Sequence, residues 1–146
     1  MNKIEYIGFK GKNNASCILA QAISENHCLL TNSLGGLKKD IESLNSSYER
    51  VIMFGIDKNL RNSVRLERAA EKETVIFSVL DLEEISDRLS ANGITNCICS
   101  TPSHYLCNEA YWYALHKFKG NVVFIHIPTI KNMNDEFIEK MKSALD

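Results

Sequence analysis

The sequence predicts an α/β fold, a three-layer α/β/α sandwich around a largely parallel, mixed sheet. Short apolar runs of strand length alternate with segments of helical period along almost the whole chain. Several of these runs are nearly continuous in apolar residues, as expected for strands that are buried on both faces of a sheet. At 146 residues the chain has the size of one domain, which we expect to span residues 1–146.

The first half of the chain supplies three of the predicted strands and two helices. The strands are "KIEYIGF", "HCLLT" and "RVIMFGI". The helices are "ASCILAQAISE", which follows a polar Gly/Asn loop, and "GLKKDIESL". Residues 57–79 are compatible with both strand and helix.

The second half continues the alternation. In "DLEEISDRLSAN" the apolar residues Leu82, Ile85 and Leu89 recur at helical spacing, and Gly93 stands where a helix often ends. The strand "TNCICS" follows, then a helix over residues 105–118, then the strand "NVVFIHI". A last helix, "NDEFIEKMKSAL", has Asn134 or Asp135 as its cap.

Composition narrows the classes of partner. Seventeen Lys and Arg residues face eighteen Asp and Glu residues with no basic block, so neither nucleic acid nor an anionic membrane is expected as a partner. No apolar run approaches a membrane span, and "MNKIEYIGFKGKNN" lacks the apolar core of a signal peptide, so we expect a cytoplasmic protein. Five cysteines in a reducing compartment indicate packed or reactive thiols rather than a disulfide framework.

Cys107 and His126 are the main candidates for chemistry. Cys107 lies near the start of the helix that follows "TNCIC", and His126 lies at the end of the strand "NVVFIHI", so we expect both at the sheet edge where ligands bind. Free N–H groups at a helix N-terminus favour a thiolate and can hold an oxyanion. A neighbouring imidazole can take the thiol proton and return it to a leaving amine.

Two other interpretations of Cys107 remain open on spacing. It heads a helical stripe of apolar residues, and free cysteine is commonly buried, so spacing alone favours a core thiol. Cys97, Cys99, His104 and Cys107 form the pattern C-x-C-x4-H-x2-C, which would be a metal site of unfamiliar spacing.

The other histidines are weaker candidates for the base. His104 is one helical turn from Cys107, which makes it hard for both to reach a substrate carbonyl. His116 is expected to face solvent, and His27 to lie at the amino end of its strand.

The stretch "GITNCICSTPSHYLCNEAYWYALHKF", followed by "VVFIHIP", resembles the catalytic half of pyroglutamyl peptidase I, the pyrrolidone-carboxylate peptidases. The residues that fall into the family's register are Gly93, Ile94, Thr101, Tyr105, Cys107, Asn108, Phe124, Ile125, His126 and Pro128. Upstream, "VIMFGIDKNLRNSVRLERAA" is similar to the family's strand, substrate loop and glutamate segment, and "GFKGKNNASCILAQAI" to its N-terminal loop and helix.

The resemblance implies a phosphorylase/hydrolase-like fold and a Cys107, His126 and Glu67 triad, in which Glu67 orients the imidazole. It also implies substrate contacts from Phe9 and Tyr105 and from the loop positions Ile56 and Arg61. The implied reaction removes an N-terminal pyroglutamyl group, or a related small acyl or cyclic amide, through a thioester. The implied partners are small peptide or amide substrates and other copies of the chain, with no metal and no other cofactor.

The chain departs from the family pattern at several positions. Ile56 stands for the glutamine of the substrate loop, "TPSH" replaces Thr-Ala-Gly-Thr, and "KGKN" replaces a loop with a second aromatic residue. The family arginine near the oxyanion has no aligned counterpart, and Lys72 is the nearest cation in sequence.

Two other classes of function therefore stay open. One is a protein of the same fold that binds a small ligand or a protein partner without turnover. The other is a nucleotide- or phosphate-binding module that uses "GFKGKNN", a loop without a recognised phosphate motif.

Overall fold

The computed structural model describes residues 3–146, and its main feature is a six-stranded sheet. The strands of the chain are β1 (Ile4–Phe9), β2 (His27–Leu30), β3 (Arg50–Ile56), β4 (Ser63–Glu67), β5 (Ala69–Glu71), β6 (Val75–Phe77), β7 (Thr95–Cys99) and β8 (Val122–Ile127). The sheet has the order β2-β1-β3-β8-β4-β7, and β5 and β6 form a separate antiparallel hairpin.

Five α-helices cover the two faces of this sheet. They are α1 (Ala15–Ile23), α2 (Leu34–Glu42), α3 (Leu82–Ala91), α4 (Tyr105–Lys117) and α5 (Asp135–Leu145), with a short 3₁₀ turn at Ile130–Asn132. One core cluster joins the sheet to α1, α3 and α5, and the other joins it to α2 and α4. The predicted α/β/α sandwich is therefore confirmed, and its strands and helices lie close to their predicted positions.

Residues 57–79, which the sequence left open between strand and helix, form β4, β5 and β6. In β4 the side chains alternate: Val64 and Leu66 are buried in the core that α1, α3 and α5 cover, while Arg65 and Glu67 occupy the other face. The β5–β6 hairpin packs on α4. Two of its contacts come from one side chain, since Asn108 accepts from the N–H of Glu71 and donates to its carbonyl.

Strands β4 and β7 run in the opposite direction to the other four strands of the sheet. β1, β2, β3 and β8 are parallel, but β4 pairs antiparallel with β8, and β7 is parallel to β4. The carboxyl end of β7 therefore does not lie at the edge where β3 and β8 end. Residues 100–104 connect β7 to α4, whose first turn does reach that edge.

Within residues 3–146, no helix is both long enough and apolar enough to cross a membrane.

Candidate active site

Cys107 and His126 lie together at the carboxyl ends of β3 and β8. Gly55 on β3 pairs in register with His126 on β8. A Cβ added at Gly55 would lie 2.8 Å from Cys107 Sγ and 2.5 Å from Phe124 Cζ, so only glycine leaves room for the thiol at this position. α4 thus holds its cysteine directly over the strand pair that carries the histidine.

Glu67 is fixed beside His126 by the antiparallel register of β4 and β8. Arg65 is opposite His126 and Glu67 is opposite Phe124. The Glu67 carboxylate therefore lies on the same face of the sheet as His126, diagonally across from it. His126 Nδ1 lies 3.0 Å from Glu67 Oε2, and these residues are only 4% and 1% exposed. With Nδ1 engaged by the carboxylate, Nε2 is the ring nitrogen left for proton transfer.

The backbone of Glu67 is also held. Tyr111 on α4 donates its hydroxyl hydrogen to the carbonyl oxygen of Glu67 at 2.7 Å. The helix that carries Cys107 and the strand that carries Glu67 are therefore tied by a buried hydrogen bond.

Two further charged residues join this group. Arg65 Nε donates to Glu67 Oε2 at 2.6 Å, and Arg65 Nη1 donates to Asp57 Oδ2 at 2.8 Å. Asp57 follows β3, and its other oxygen accepts from the N–H of Asn59 at 2.9 Å. These hydrogen bonds, opposed by burial, hold the pKa of Asp57 below its usual range.

Among residues 3–146, no side chain accepts a hydrogen bond from the N–H groups in the first turn of α4. A side-chain oxygen accepts at the N-terminus of each of the other four α-helices, from Asn14, Ser33, Asp81 and Asn134. At α4 the N-cap residue, His104, makes no such bond. The free N–H groups of this turn lie next to Cys107, and such groups can stabilise a nearby negative charge.

Tyr105 begins α4 in a conformation that is uncommon for a bulky residue. Its φ is 59°, in the left-handed region, and its side chain is 88% exposed. Backbone in such regions persists where the surroundings require it, which is common next to functional sites.

A cavity of about 610 Å³ opens at this edge of the sheet. It is lined by Ile56, Asp57, Lys58, Asn59, Arg65, Ser103, His104, Tyr105, Leu106, Cys107 and His126. The structure therefore brings together Cys107, His126, Ile56 and Tyr105 around one cavity, with Glu67 directly behind His126.

Two of the expected substrate contacts lie elsewhere. Phe9 is 5% exposed and packs in the core that α2 and α4 cover, and its N–H donates to Ser16 Oγ at 2.9 Å. Arg61 is exposed and lines a separate cavity of about 180 Å³ beside α5. Neither side chain contributes to the lining of the larger cavity.

The thiol does not have the low pKa that a helix N-terminus alone would give it. The pKa of Cys107 is raised to about 11, chiefly by burial and in addition by the carboxylates of Glu67 and Asp57, while Arg65 opposes them. The helix terminus favours the thiolate, but burial and the two carboxylates outweigh it. At neutral pH the resting group is a thiol.

The remaining candidates from the sequence are dispersed. Among residues 3–146, no three His, Cys, Asp or Glu side chains are arranged to hold a metal ion, which argues against the C-x-C-x4-H-x2-C interpretation. His116 is exposed and stacks on Trp112, and His27 begins β2. Lys72 pairs with Glu109 at the β5–β6 hairpin and does not line the cavity of Cys107.

The sequence analysis missed Asp57 and Arg65. Both lay within the residues left unassigned, where no side-chain direction could be given. A signal was present in "SVRLE", because alternating residues of a strand share a face and Arg65 must then lie beside Glu67.

No protein-family model matches the chain, and no curated protein sequence matches it. Solved structures do. A pyrrolidone carboxyl peptidase mutant (E192V) from Pyrococcus furiosus superposes with a TM-score of 0.83 at 19% identity over 98% of this chain and 96% of that one.

Two further enzymes agree with this result. Pyrrolidone carboxyl peptidase from Thermococcus litoralis gives a TM-score of 0.78 at 20% identity over 99% of this chain and 92% of that one. The enzyme from Thermus thermophilus gives 0.81 at 17% identity over 97% of each chain. The similarity suggested by "HYLCN" and "FIHIP" is thus confirmed at the level of structure: this chain has the fold of the pyrrolidone carboxyl peptidases.

Proposed function

We propose that this protein is a cysteine-type hydrolase resembling pyroglutamyl peptidase I, with Cys107 as nucleophile, His126 as general base and acid, and Glu67 as the orienting carboxylate. One observation carries the proposal. A buried His126 and Glu67 pair faces a cysteine at the uncapped start of a helix, in a cavity. The fold shared with peptidases adds support.

The first half of the reaction forms a thioester. His126 Nε2 takes the thiol proton while Cys107 Sγ attacks the amide carbon, and Glu67 stabilises the resulting imidazolium through Nδ1. The N–H groups at the start of α4 stabilise the tetrahedral oxyanion. His126 then gives its proton to the departing amine, which leaves with a free amino group.

The second half regenerates the enzyme. A water molecule loses a proton to His126 as it attacks the thioester carbon, and the thiolate leaves and recovers the proton. The high pKa of Cys107 favours proton removal during the attack rather than a preformed ion pair. The chain's own residues supply every proton transfer, so the mechanism uses no cofactor.

The substrate class is an N-terminal pyroglutamyl peptide or a related small acyl or cyclic amide. The cavity of about 610 Å³ is large enough for such a group. Tyr105 and Leu106 offer apolar contact, and Ile56 begins the loop on the opposite side. Because Phe9 is buried in the core, we do not expect it to contact a pyroglutamyl ring on the side opposite Tyr105.

The decisive experiment is turnover of a pyroglutamyl chromogenic amide by the purified protein, its Cys107→Ala variant and its His126→Gln variant. We expect hydrolysis by the parent protein only. Absence of turnover by the parent protein, together with no labelling of Cys107 by iodoacetamide, would exclude an enzyme that uses this thiol.

One observation favours a second candidate, a protein that binds a small ligand without turnover. The Cys107 thiol is hard to ionise, and Arg65 and Asp57 occupy part of the cavity wall. Thermal stabilisation by pyroglutamate or a pyroglutamyl amide, with no product formed, would identify this case.

The proposal includes a cytoplasmic location and assembly with other copies of the chain. Free thiols at all five cysteines fit the reducing cytoplasm. Val75 and Phe77 on β6 and Val79 shortly after it are exposed apolar residues, which favours contact with another copy of the chain. Light scattering after size exclusion would measure the assembly.

A further inference from the structure

Arg65 lies between two carboxylates at the wall of the cavity. Its Nε donates to Glu67 Oε2 at 2.6 Å, and its Nη1 donates to Asp57 Oδ2 at 2.8 Å. Glu67 Oε2 is also the oxygen that His126 Nδ1 contacts at 3.0 Å. One carboxylate oxygen therefore connects the guanidinium to the imidazole.

This arrangement restricts how Glu67 can move. A charge-assisted bond from a planar guanidinium fixes direction as well as distance. Arg65 is itself fixed at its other end, because Asp57 is held by the N–H of Asn59. Rotation of the Glu67 carboxylate away from His126 would break the bond to Arg65, so the chain Asp57, Arg65, Glu67 orients the imidazole.

The same chain sets the charge around the thiol. Asp57 and Glu67 carry two negative charges near Cys107, and both make its ionisation harder. Arg65 has the opposite effect. Without it, two carboxylates would face a group that must become an anion during the reaction.

We propose that Arg65 and Asp57 are positioning residues of the Cys107 site. Arg65 holds Glu67 against His126 and offsets the negative charge of both carboxylates at the thiol, and Asp57 holds Arg65. This inference rests on the proposed function, because it assigns roles within the same site.

Several other titratable groups surround the network of Asp57, Arg65 and Glu67. On the same face of the neighbouring edge strand β7, Cys97 is level with Arg65 and Cys99 with Glu67. The cavity wall adds Lys58 after β3 and His104 before α4. The titratable groups around the network thus include Lys58, Cys97, Cys99, His104, Cys107, Tyr111 and His126.

The test is the rate at which iodoacetamide alkylates Cys107 in the folded protein at pH 8, resolved from the other cysteines by peptide mass spectrometry. Below its pKa, a thiol gains thiolate tenfold for each unit by which the pKa falls, but loses part of its nucleophilicity. The net change is roughly threefold for each unit.

Two variants have opposite expected effects. Arg65→Met removes the positive charge, so alkylation should become a few-fold slower than in the parent protein. Asp57→Asn removes a negative charge, so alkylation should become a few-fold faster. Turnover of the pyroglutamyl amide should fall in both variants, since both loosen the support of Glu67.

The matched controls are Arg65→Lys and Arg88→Met. The lysine keeps the charge and should stay near the parent alkylation rate. Arg88 lies on α3 and donates to the carbonyl oxygen of Asp146 at 2.7 Å, so its loss removes one arginine away from the site and should leave the rate unchanged. Thermal unfolding and circular dichroism show which variants remain folded.

The outcomes separate this inference from the proposed function. Faster alkylation in both Arg65→Met and Asp57→Asn would mean that both substitutions only make Cys107 more accessible, and it would overturn the inference. Unchanged rates in both variants would overturn it as well. Opposite changes support it. Absence of turnover by the parent protein rejects the hydrolase, while the opposite alkylation changes would still support the charge balance at Cys107.

Discussion

Two cysteines of this chain each lie near a buried glutamate, on the face of the sheet that α2 and α4 cover, but of the two only Cys107 lines the cavity at the ends of β3 and β8. The glutamate near Cys107 is Glu67, and the glutamate near Cys28 is Glu5. The pKa of both thiols is raised to about 11, chiefly by burial and in part by the nearby glutamate. A thiol with a raised pKa near a carboxylate therefore does not distinguish the surroundings of Cys107 from those of Cys28.

The partners of the two glutamates make the difference. Glu67 contacts an arginine and a histidine through one oxygen. Within residues 3–146, the Glu5 carboxylate accepts from the backbone N–H of Tyr6 at 3.3 Å and is near Tyr48 and His27, and burial raises its pKa. A fixed arginine, a fixed histidine and a cavity distinguish the surroundings of Glu67 and Cys107 from those of Glu5 and Cys28.

The largest expected difference is in turnover on removal of each thiol. Cys107→Ala should abolish hydrolysis of a pyroglutamyl amide, a loss of at least about 10⁴-fold, because no other group replaces the nucleophile. Cys28→Ala should leave the rate close to that of the parent protein. Steady-state assays of both variants measure this, and equal losses would place the chemistry elsewhere.

The second difference concerns the two glutamates. Glu67→Gln should lower kcat by about 10²- to 10⁴-fold, because an amide cannot stabilise the imidazolium of His126 in the required tautomer. Glu5→Gln should leave kcat unchanged. A kcat that survives Glu67→Gln would show that the carboxylate has only a structural role.

A smaller difference is expected in stability. The folded-state pKa of Glu5 is raised, so the folded protein binds its proton more tightly than the unfolded chain does. The stabilisation is complete below the unfolded pKa near 4.5 and is lost as the pH rises through the folded value.

Glu5→Gln should therefore raise the melting temperature at pH 7 by a few degrees and have less effect near pH 4. Thermal melts at both pH values measure this. A lower melting temperature at pH 7 would mean that the Tyr48 hydrogen bond outweighs the burial of the charge.

The smallest difference is in thiol labelling. Both thiols have a pKa of about 11, so their alkylation by iodoacetamide should still be rising between pH 8 and pH 10 without a plateau. Cys107 should react a few-fold faster than Cys28 because it lines an open cavity. A plateau for Cys107 near pH 7 would instead indicate a preformed thiolate.

Much of the fold could be predicted from local patterns. The strands "RVIMFGI" and "NVVFIHI" were continuous apolar runs, α3 had helical spacing and a glycine at its end, and α5 had an N-cap candidate. The pairing of Cys107 with His126 was expected from the resemblance, and the structure places both at one cavity.

What could not be predicted depends on long-range pairing. Nothing local in "SVRLE" states that β4 runs opposite to β8, and that register decides which residues face His126. The burial of Phe9 and the outward position of Arg61 likewise follow from tertiary packing. The high pKa of Cys107 follows from its burial and from the positions of Glu67 and Asp57, which sequence spacing does not give.

The place of β8 between β3 and β4 has a consequence for the newly made protein. Strands β3 and β4 leave the ribosome well before β8, which must later fill the gap between them. Until it does, His126 has neither Glu67 nor Gly55 beside it. The nascent chain therefore carries Cys107 as an ordinary thiol without this histidine and glutamate, and turnover should appear only with completion of the sheet, which would make turnover a direct reporter of successful folding.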